Sequence, residues 1–544
     1  MTLIHGLRFN NLRGDIFGGL TAAVVALPLA LAFGVASGAG PLAGLYGAIF
    51  VGFFAALFGG TPTQISGPTG PMTVVMAAIF VKFSHDPALA FTVVIMGGGF
   101  QILFGAMRLG RYIALVPFPV ISGFMSGIGC IIMILQFAPL IGATPSIGGV
   151  LDTVTSLPGI LANAEWQAAA VGLLALTIAS FTPRPIASLV PSSLIALIVG
   201  TSLVWLFLPE ASVLGNIPSG IPTPHLPHWT WTALPDMISS ALILALLGSI
   251  DSLLTSLVAD NITRTSHHSN RELIGQGIGN MIAGLFGGIP GAGATMRTVI
   301  NVRTGGETPI SGMLHAIILL AVLLVLGPVA EHIPHAVLAG ILFKTGIDII
   351  DWGYLRRVFR APHAGVIIML VTLILTVFVD LIIAVAVGTI AASLLFVKRM
   401  SVWQLSNVRD GNSSSLPVND DERETIERLS PRMQYYHFSG PLSFGAAKGI
   451  NDRLSIDISN EVLILDLADV AFVDTSASVG FEAIIAKAQD AGLAVLVVRS
   501  GLVVMRVFER LGIAATIGTD NLFPDRRTAL MQAEMLLEQT SHHS

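Results

Sequence analysis

Charge is scarce in this sequence. Asp, Glu, Lys and Arg make up 11% of the 544 residues, where soluble domains average about a quarter, and the mean hydropathy is +0.79. A single soluble globular chain is excluded and a polytopic membrane protein indicated. Cysteine is rarer still. Cys130 stands alone, so there is neither an intrachain disulfide nor a multi-cysteine metal site, and within its apolar run it reads as a small buried hydrophobe. HExxH, GxSxG and P-loop patterns are missing, which leaves hydrolysis and ATP-driven pumping without support. The stretch "GQGIGN" at 275–280 follows no strand and is no dinucleotide loop. His267–His268 and His542–His543 lack metal-ligand spacing and read as solvated loop and tail residues. No cleavable signal peptide is evident, because "MTLIHGLRFNNLRGD" is polar and basic ahead of the first apolar run.

The charges that are present cluster. Residues 1–400 carry 14 acidic and 16 basic side chains, and the remainder 19 and 12, so a slightly basic membrane part precedes an acidic tail. Runs of about 20 apolar residues are expected to span a bilayer. They occur at 15–35, 41–59, 88–107, 112–138, 165–183, 185–208, 236–259, 308–330, 363–380 and 381–397. Shorter or Gly/Pro-broken runs at 64–82, 271–286, 292–303 and 335–348 bring the total to about fourteen. With the N-terminus inside, Arg108, Arg111, Arg184, Arg264, Arg271, Lys344, Arg356, Arg357, Arg360, Lys398 and Arg399 all fall on the inner side. The outer loops 139–164, 209–235 and 331–334 then contain no Lys or Arg.

Two Gly-rich interruptions match one another. "SGPTGPMTVV" at 66–75 and "PGAGATMRTVI" at 290–300 each lie about fifty residues after a long apolar run. An odd number of spans per half, about seven, inserts the two copies in opposite orientations. In hydrocarbon an unpaired backbone group costs several kcal/mol, so broken helices survive only where they are buried or line a cavity. Each break restarts a short helix whose free N–H groups and partial positive charge attract an anion. Two such starts facing each other at mid-membrane make an anion cradle around Thr69, Gly70, Ala294 and Thr295, and Arg297 adds a full charge one turn in.

Asp251, deep in the run 236–259, is an expensive residue for a membrane span and calls for a function or a partner. Thr255 is one turn on along the same face. Their oxygens, with the carbonyls of Gly293, Ala294 and Thr295, suit a hard cation. Anion and cation side by side would each favour the other's binding. A structural ion pair between Asp251 and Arg297 is the plainer alternative, and Na⁺ against H⁺ stays open at this point.

Beyond residue 400, "VRDGNSSSLPVNDDERE" at 408–424 is a polar linker, and 432–540 alternates buried-strand runs ("VLILDLADVAFV", "LAVLVVRS") with amphipathic helices. This predicts a membrane domain at 1–400, a linker at 401–431, an α/β domain at 432–540 and a tail at 541–544.

Several long stretches resemble the sulphate-permease (SulP) anion transporters, which carry a C-terminal STAS domain. They are "GGLTAAVVALPLALAFG", "ISGPTGPMTVV", "ADNITRTSHHSNRELIGQGIGNMIAGLFGGIPGAGATMRTVINVRTGG" and "VFVDTSASVGFEAI". The likeness runs over nearly the whole chain, and within the family it is strongest to cyanobacterial BicA-type bicarbonate transporters. It implies an α-helical polytopic membrane protein with seven-plus-seven inverted repeats of the uracil-permease type, followed by a cytoplasmic STAS domain. It further implies alternating access of elevator type in the plasma membrane, with both termini cytoplasmic and a homodimer joined through STAS. Na⁺ is the implied coupling ion, with no other metal or cofactor, held by Asp251, Thr255, Gly293, Ala294 and Thr295. Bicarbonate would lie between these residues and Thr69. The other implied partners are membrane lipid and a cytoplasmic regulator of STAS, with no nucleic acid and no enzymatic step.

Two departures from the family pattern matter. Leu29 and Phe33 stand where many members have Gln and Tyr, which suits a small monovalent anion better than sulphate. In "DTSAS", Ser476 takes the place of the phosphorylated Ser of anti-sigma-factor antagonists, but Ala477 replaces the usual following Gly. A helix N-cap from Thr475 or Ser476 is therefore favoured over phosphorylation. The transport alternative is a proton-coupled sulphate or dicarboxylate permease. Alternatives of another class are an anion channel and a STAS-mediated sensor.

Overall fold

The computed structural model describes residues 5–113, 116–144, 149–187, 190–208, 211–215, 224, 226–360, 362–379, 381–413, 415–445, 457, 459–499 and 501–541. The chain divides into two units, Met1–Thr389 and Ile390–Ser544. His542 and His543 lie outside the described residues.

Uninterrupted apolar sequence makes helices in the first unit. These are α1 (Leu12–Ala36), α2 (Pro41–Phe58), α3 (Gly70–Lys82), α4 (Pro87–Ala106), α5 (Phe118–Leu140), α6 (Trp166–Phe181) and α7 (Ser192–Phe207). They are followed by α8 (Leu234–Thr263), α9 (Ser269–Leu285), α10 (Thr295–Arg303), α11 (Pro309–Ala330), α12 (His335–Ile349), α13 (His363–Phe378) and α14 (Leu381–Ser406), which runs on into the second unit from Ile390, with shorter helical turns between. Among the described residues six helices are long and apolar enough to cross a bilayer, namely α1, α2, α4, α5, α8 and most of α14. The helices form two groups. α9 packs on α2 and α4, α11 on α1 and α2, and α8 on α4, while α5 packs on α12 and α13, and α6 on α7 and α12. Small residues allow the closest approaches. A Cβ on Gly98 of α4 would meet the Gly277 carbonyl of α9 at 2.5 Å, and one on Gly277 would meet the Gly98 carbonyl at 2.5 Å. The glycines of "GQGIGN" are therefore helix-packing residues.

Ahead of α3 and α10 the chain is extended. β1 (Ser66–Gly67) and β2 (Ala292–Gly293) pair antiparallel, Ser66 opposite Gly293 and Gly67 opposite Ala292. The two sequence interruptions are thus hydrogen-bonded to each other, which accounts for backbone that no helix satisfies.

The second unit holds a five-stranded sheet in the order β3 (Arg409–Asp410), β4 (Met433–Leu442), β5 (Val462–Val473), β6 (Ala494–Val498), β7 (Leu522–Phe523). It is parallel except for β3. Because both faces are covered, β5 is apolar at consecutive positions. Leu463 and Leu465 pack with Phe481 and Phe508 of α16 (Thr475–Asp490) and α17 (Leu502–Arg510). Val462 and Ile464 pack with Ile426 and Leu530 of the opposite helices, α15 (Asp420–Leu429) and α18 (Arg526–Ser541).

Candidate functional site

The two crossovers deliver two helix starts into the interior of the first unit. Thr69 is the N-cap of α3 and Ala294 that of α10, and neither start is capped by a side-chain hydrogen bond. Both starts are uncapped helix ends in the interior, a costly arrangement unless something else meets the N–H groups. Thr69 has the hydroxyl to cap α3 but turns it away. It donates to Asp251 Oδ2 at 2.8 Å.

α8 serves the second crossover. Thr255, fully buried, donates to the Gly293 carbonyl at 2.9 Å and lies 2.8 Å from the Thr295 hydroxyl. α8 thus joins Asp251 to Thr69 and, one turn on, Thr255 to Gly293 and Thr295. Arg297 is 2% exposed and donates through Nη2 to the Pro68 carbonyl at 2.5 Å. No hydrogen bond or close salt bridge joins Arg297 to Asp251 among the described residues, although the two charges act on each other at longer range. The guanidinium instead ties the second crossover to the first.

Sequence reasoning missed how the crossovers are held. On α9, Glu272, Gln276 and Asn280 recur every fourth position and share one face. Glu272 accepts from Gly60 N and Thr61 N, both at 2.9 Å, from Gln64 Nε2 at 2.8 Å and from Gln276 Nε2 at 2.9 Å. Gln276 also donates to Ser66 Oγ, and Asn280 makes two hydrogen bonds to the backbone of Gly291. On α8, Ser252 accepts from Gly293 N at 3.1 Å and Ser256 bonds Gln64. The available signal was polar residues at helical spacing inside apolar runs.

A cavity of about 1260 Å³ opens between α1, α3, α5 and α12, lined by Ala32, Val74, Ile131 and Leu338 among others. None of Thr69, Asp251, Thr255, Gly293, Thr295 and Arg297 lines it. A cavity of about 10 Å³ lies against Asp251, its one charged wall residue among apolar side chains of α5, α8 and α14.

Two expectations need correction. The N-cap of α16 is Asp474, not Thr475 or Ser476. Asp474 accepts from Ala477 N at 2.8 Å and from Phe444 N at 2.6 Å, and Thr475 and Ser476 are left exposed. A carboxylate at this position serves both the helix dipole and the preceding loop. His267 is not a solvated loop residue. Its Nδ1 lies 2.7 Å from Asp260 Oδ2 and its Nε2 2.9 Å from Ser269 Oγ, which closes the turn between α8 and α9.

The second unit has a polar centre of its own. Asp466 of β5 is fully buried. Its Oδ2 accepts from Tyr435 and from Arg526 Nε, each at 2.7 Å, and lies 2.7 Å from His437 Nδ1, while Oδ1 accepts from Ala468 N at 3.1 Å. Burial alone would raise this carboxyl, but the hydrogen bonds from His437, Arg526, Tyr435 and Ala468 outweigh it and hold the group at about 2.

Comparison with known proteins bears on both units. Residues 12–406 match the sulfate permease family and 427–529 the STAS domain. Two proteins named bicarbonate transporter BicA are similar over almost their full length. That of Synechocystis is 44% identical, covering 99% of this chain and 97% of its own, and that of Picosynechococcus is 45% identical, covering 98% and 96%. A solved transmembrane domain of a cyanobacterial BicA superposes with a TM-score of 0.67 at 52% identity, covering 71% of this chain and all of that one. A structure of SLC26A9 superposes with a TM-score of 0.82 at 19% identity over 98% of this chain and 92% of that one, a likeness of fold alone.

Proposed function

The chain belongs to the sulfate permease family, and on that premise we propose that it carries bicarbonate into the cell together with Na⁺, by alternating access across the plasma membrane. One observation carries the proposal: two uncapped helix starts, paired back to back through β1 and β2, flank a buried carboxylate whose sole hydrogen-bond donor among the described residues is Thr69. The N–H groups of Gly70, Thr295 and their neighbours suit an anion. Asp251, Thr255 and the carbonyls of Gly293, Ala294 and Thr295 offer only oxygen, as a hard cation requires. Na⁺ there offsets the Asp251 charge and raises the potential at both helix starts, so each ion favours the other. Arg297 holds the crossovers together and contributes positive charge from behind.

The packing supports two halves of seven helices. Advancing each helix by seven turns the α1–α11 contact into α8–α4, α2–α11 into α9–α4, α5–α13 into α12–α6, and α1–α10 into α8–α3. In this reading α1–α4 and α8–α11 form a core that moves with its ions against a gate of α5–α7 and α12–α14. The large cavity is then the outer vestibule, since the residues at helix ends that line it, such as Gly38, Gly142 and Pro334, fall on the predicted outer side. A cytoplasmic STAS domain, dimerisation through it and its control by a further protein complete the proposal. Relatives named bicarbonate transporters favour bicarbonate over sulphate.

The test is uptake of radiolabelled bicarbonate by proteoliposomes with and without an inward Na⁺ gradient, with sulphate in parallel. Saturable, Na⁺-dependent bicarbonate uptake is expected. Na⁺-independent sulphate uptake driven by a proton gradient would overturn the proposal and make Asp251 a proton carrier. Non-saturating flux would point to a channel.

A further inference from the structure

The described gate residues that pack on the start of α3 and against Asp251 are apolar. On α5, Val120, Phe124, Ile128 and Ile132 recur every fourth position and are at most 5% exposed, and Val116 precedes them in the same spacing. Val116, Val120 and Phe124, with Ile121, Met125 and Val385 of α14, line the small cavity against Asp251. Further along, a Cβ on Gly70 would meet Ile349 Cδ1 of α12 at 2.6 Å and Ile132 Cδ1 at 2.9 Å. The first residue of α3 is therefore roofed by two isoleucines, one from each half of the gate, and a side chain there would have to push their ends aside. Pro71 carries no N–H, so the donors at this start are those of Gly70 and Met72.

Other sides of α5 hold it to the gate. Cβ atoms on Gly123 and Gly127 would collide with Met369 and Thr376 of α13, and one on Gly129 with the Gly346 carbonyl of α12. α5 is thus clamped to its own group and turns an apolar stripe to the start of α3 and to Asp251.

We infer that this stripe, and Ile132 with Ile349 above all, sets charge selectivity by giving the anion no polar partner on the gate side. The inference rests on the proposed Na⁺–bicarbonate site and deepens it. A cation beside Asp251 and the guanidinium of Arg297 leave one net positive charge. A singly charged anion brings the enclosure to neutrality, whereas a divalent anion leaves an uncompensated charge against an apolar wall. That charge is expensive, because desolvation cost grows steeply with charge and the wall returns no hydrogen bonds. Leu29 and Phe33 pack in the same apolar cluster and extend the argument to α1. The stripe also leaves the core free to slide, since no polar bond across it has to break.

Competition against bicarbonate uptake in proteoliposomes of the full chain tests this. Nitrate and formate are expected to compete at concentrations at least about 100-fold below those needed of sulphate or oxalate. In Ile132→Thr, which trades the ethyl arm at the roof for a hydroxyl and room for water, the gap should narrow at least about tenfold, at some loss of rate. Ile132→Val, which makes room without a polar group, should keep it, and Ile349→Thr serves if Ile132→Thr does not fold. Equal competition by sulphate and nitrate in the unmodified protein, or the same gap in the Thr and Val variants, would overturn the inference. Absence of Na⁺-dependent bicarbonate uptake in the unmodified protein would instead overturn the transport reading beneath it.

Discussion

Each unit buries a carboxylate, and the two are served very differently. Asp466 faces a histidine, a tyrosine, an arginine and a backbone N–H, while Asp251 receives one hydroxyl among the described residues. Both sit in apolar surroundings where an unpaired charge is costly. The saturated one has nothing left to bind, and its partners Tyr435, His437 and Arg526 bring β4, β5 and the start of α18 together. The unsaturated one has lone pairs left over, and the two helix starts near it have no side-chain cap among the described residues. Glu272 sits in the same unit as Asp251 but, with four N–H donors, belongs with Asp466. Coordination, more than burial, separates a carboxylate that builds the fold from one that waits for an ion.

The most severe way to break this contrast is Asp251→Ala. Na⁺-driven uptake is expected to fall at least about 100-fold while the protein stays folded. Na⁺ should raise the melting temperature of the unmodified protein and not that of the variant, since a ligand stabilises only what it binds. Uptake that survives, or falls only in step with folding, would place Asp251 with the structural carboxylates.

Asp466→Asn should give the opposite pattern. Removing one partner from a buried charge network costs about 3 kcal/mol or more. The second unit should therefore melt earlier in calorimetry, while transport per folded molecule remains. Lost transport at full stability would assign Asp466 a signalling role.

Acid sharpens the same point. Asp466 titrates at about 2 against an ordinary 3.8, so its stabilising contribution is complete above about pH 4 and disappears as pH falls from there to about 2. The loss is on the order of 2 kcal/mol. Denaturant unfolding of the second unit across that window should show the decline, and Asp466→Asn should flatten it.

Much of this contrast was legible in the sequence, and the illegible part has a common cause. Asp251 announces itself as a carboxylate in an apolar run, and Thr255 follows by helical spacing. The interruptions at 66–75 and 290–300 signal helix starts through Gly and Pro, and α10 begins at Thr295 as expected. What could not be read is where long side chains and strands find partners far away in sequence. Arg297 reaches back to Pro68, Asp466 gathers partners from 31 residues before it to 60 after, and β1 pairs with β2 across the two halves. Local spacing says nothing about such pairings. The α16 cap was misjudged for a different reason. Asp474, Thr475 and Ser476 all suit an N-cap, and only the position of Phe444 N decides among them.

Thr255→Val offers the finest division within the unsaturated site. The hydroxyl now donates to the Gly293 carbonyl and lies beside that of Thr295, so it is placed to ligate the cation and to hold the second helix start. Valine keeps the shape and deletes the oxygen. If ligation dominates, the Na⁺ concentration for half-maximal uptake should rise about tenfold, equivalent to about 1.4 kcal/mol. The KM for bicarbonate at saturating Na⁺ should then change less than about twofold, and Thr255→Ser should restore the Na⁺ dependence. If the hydroxyl matters mainly for the helix start, bicarbonate KM should rise at every Na⁺ concentration. Because α8 carries both Asp251 and Thr255, a shift in the Na⁺ dependence alone would assign that helix to the cation and leave the anion to α3 and α10.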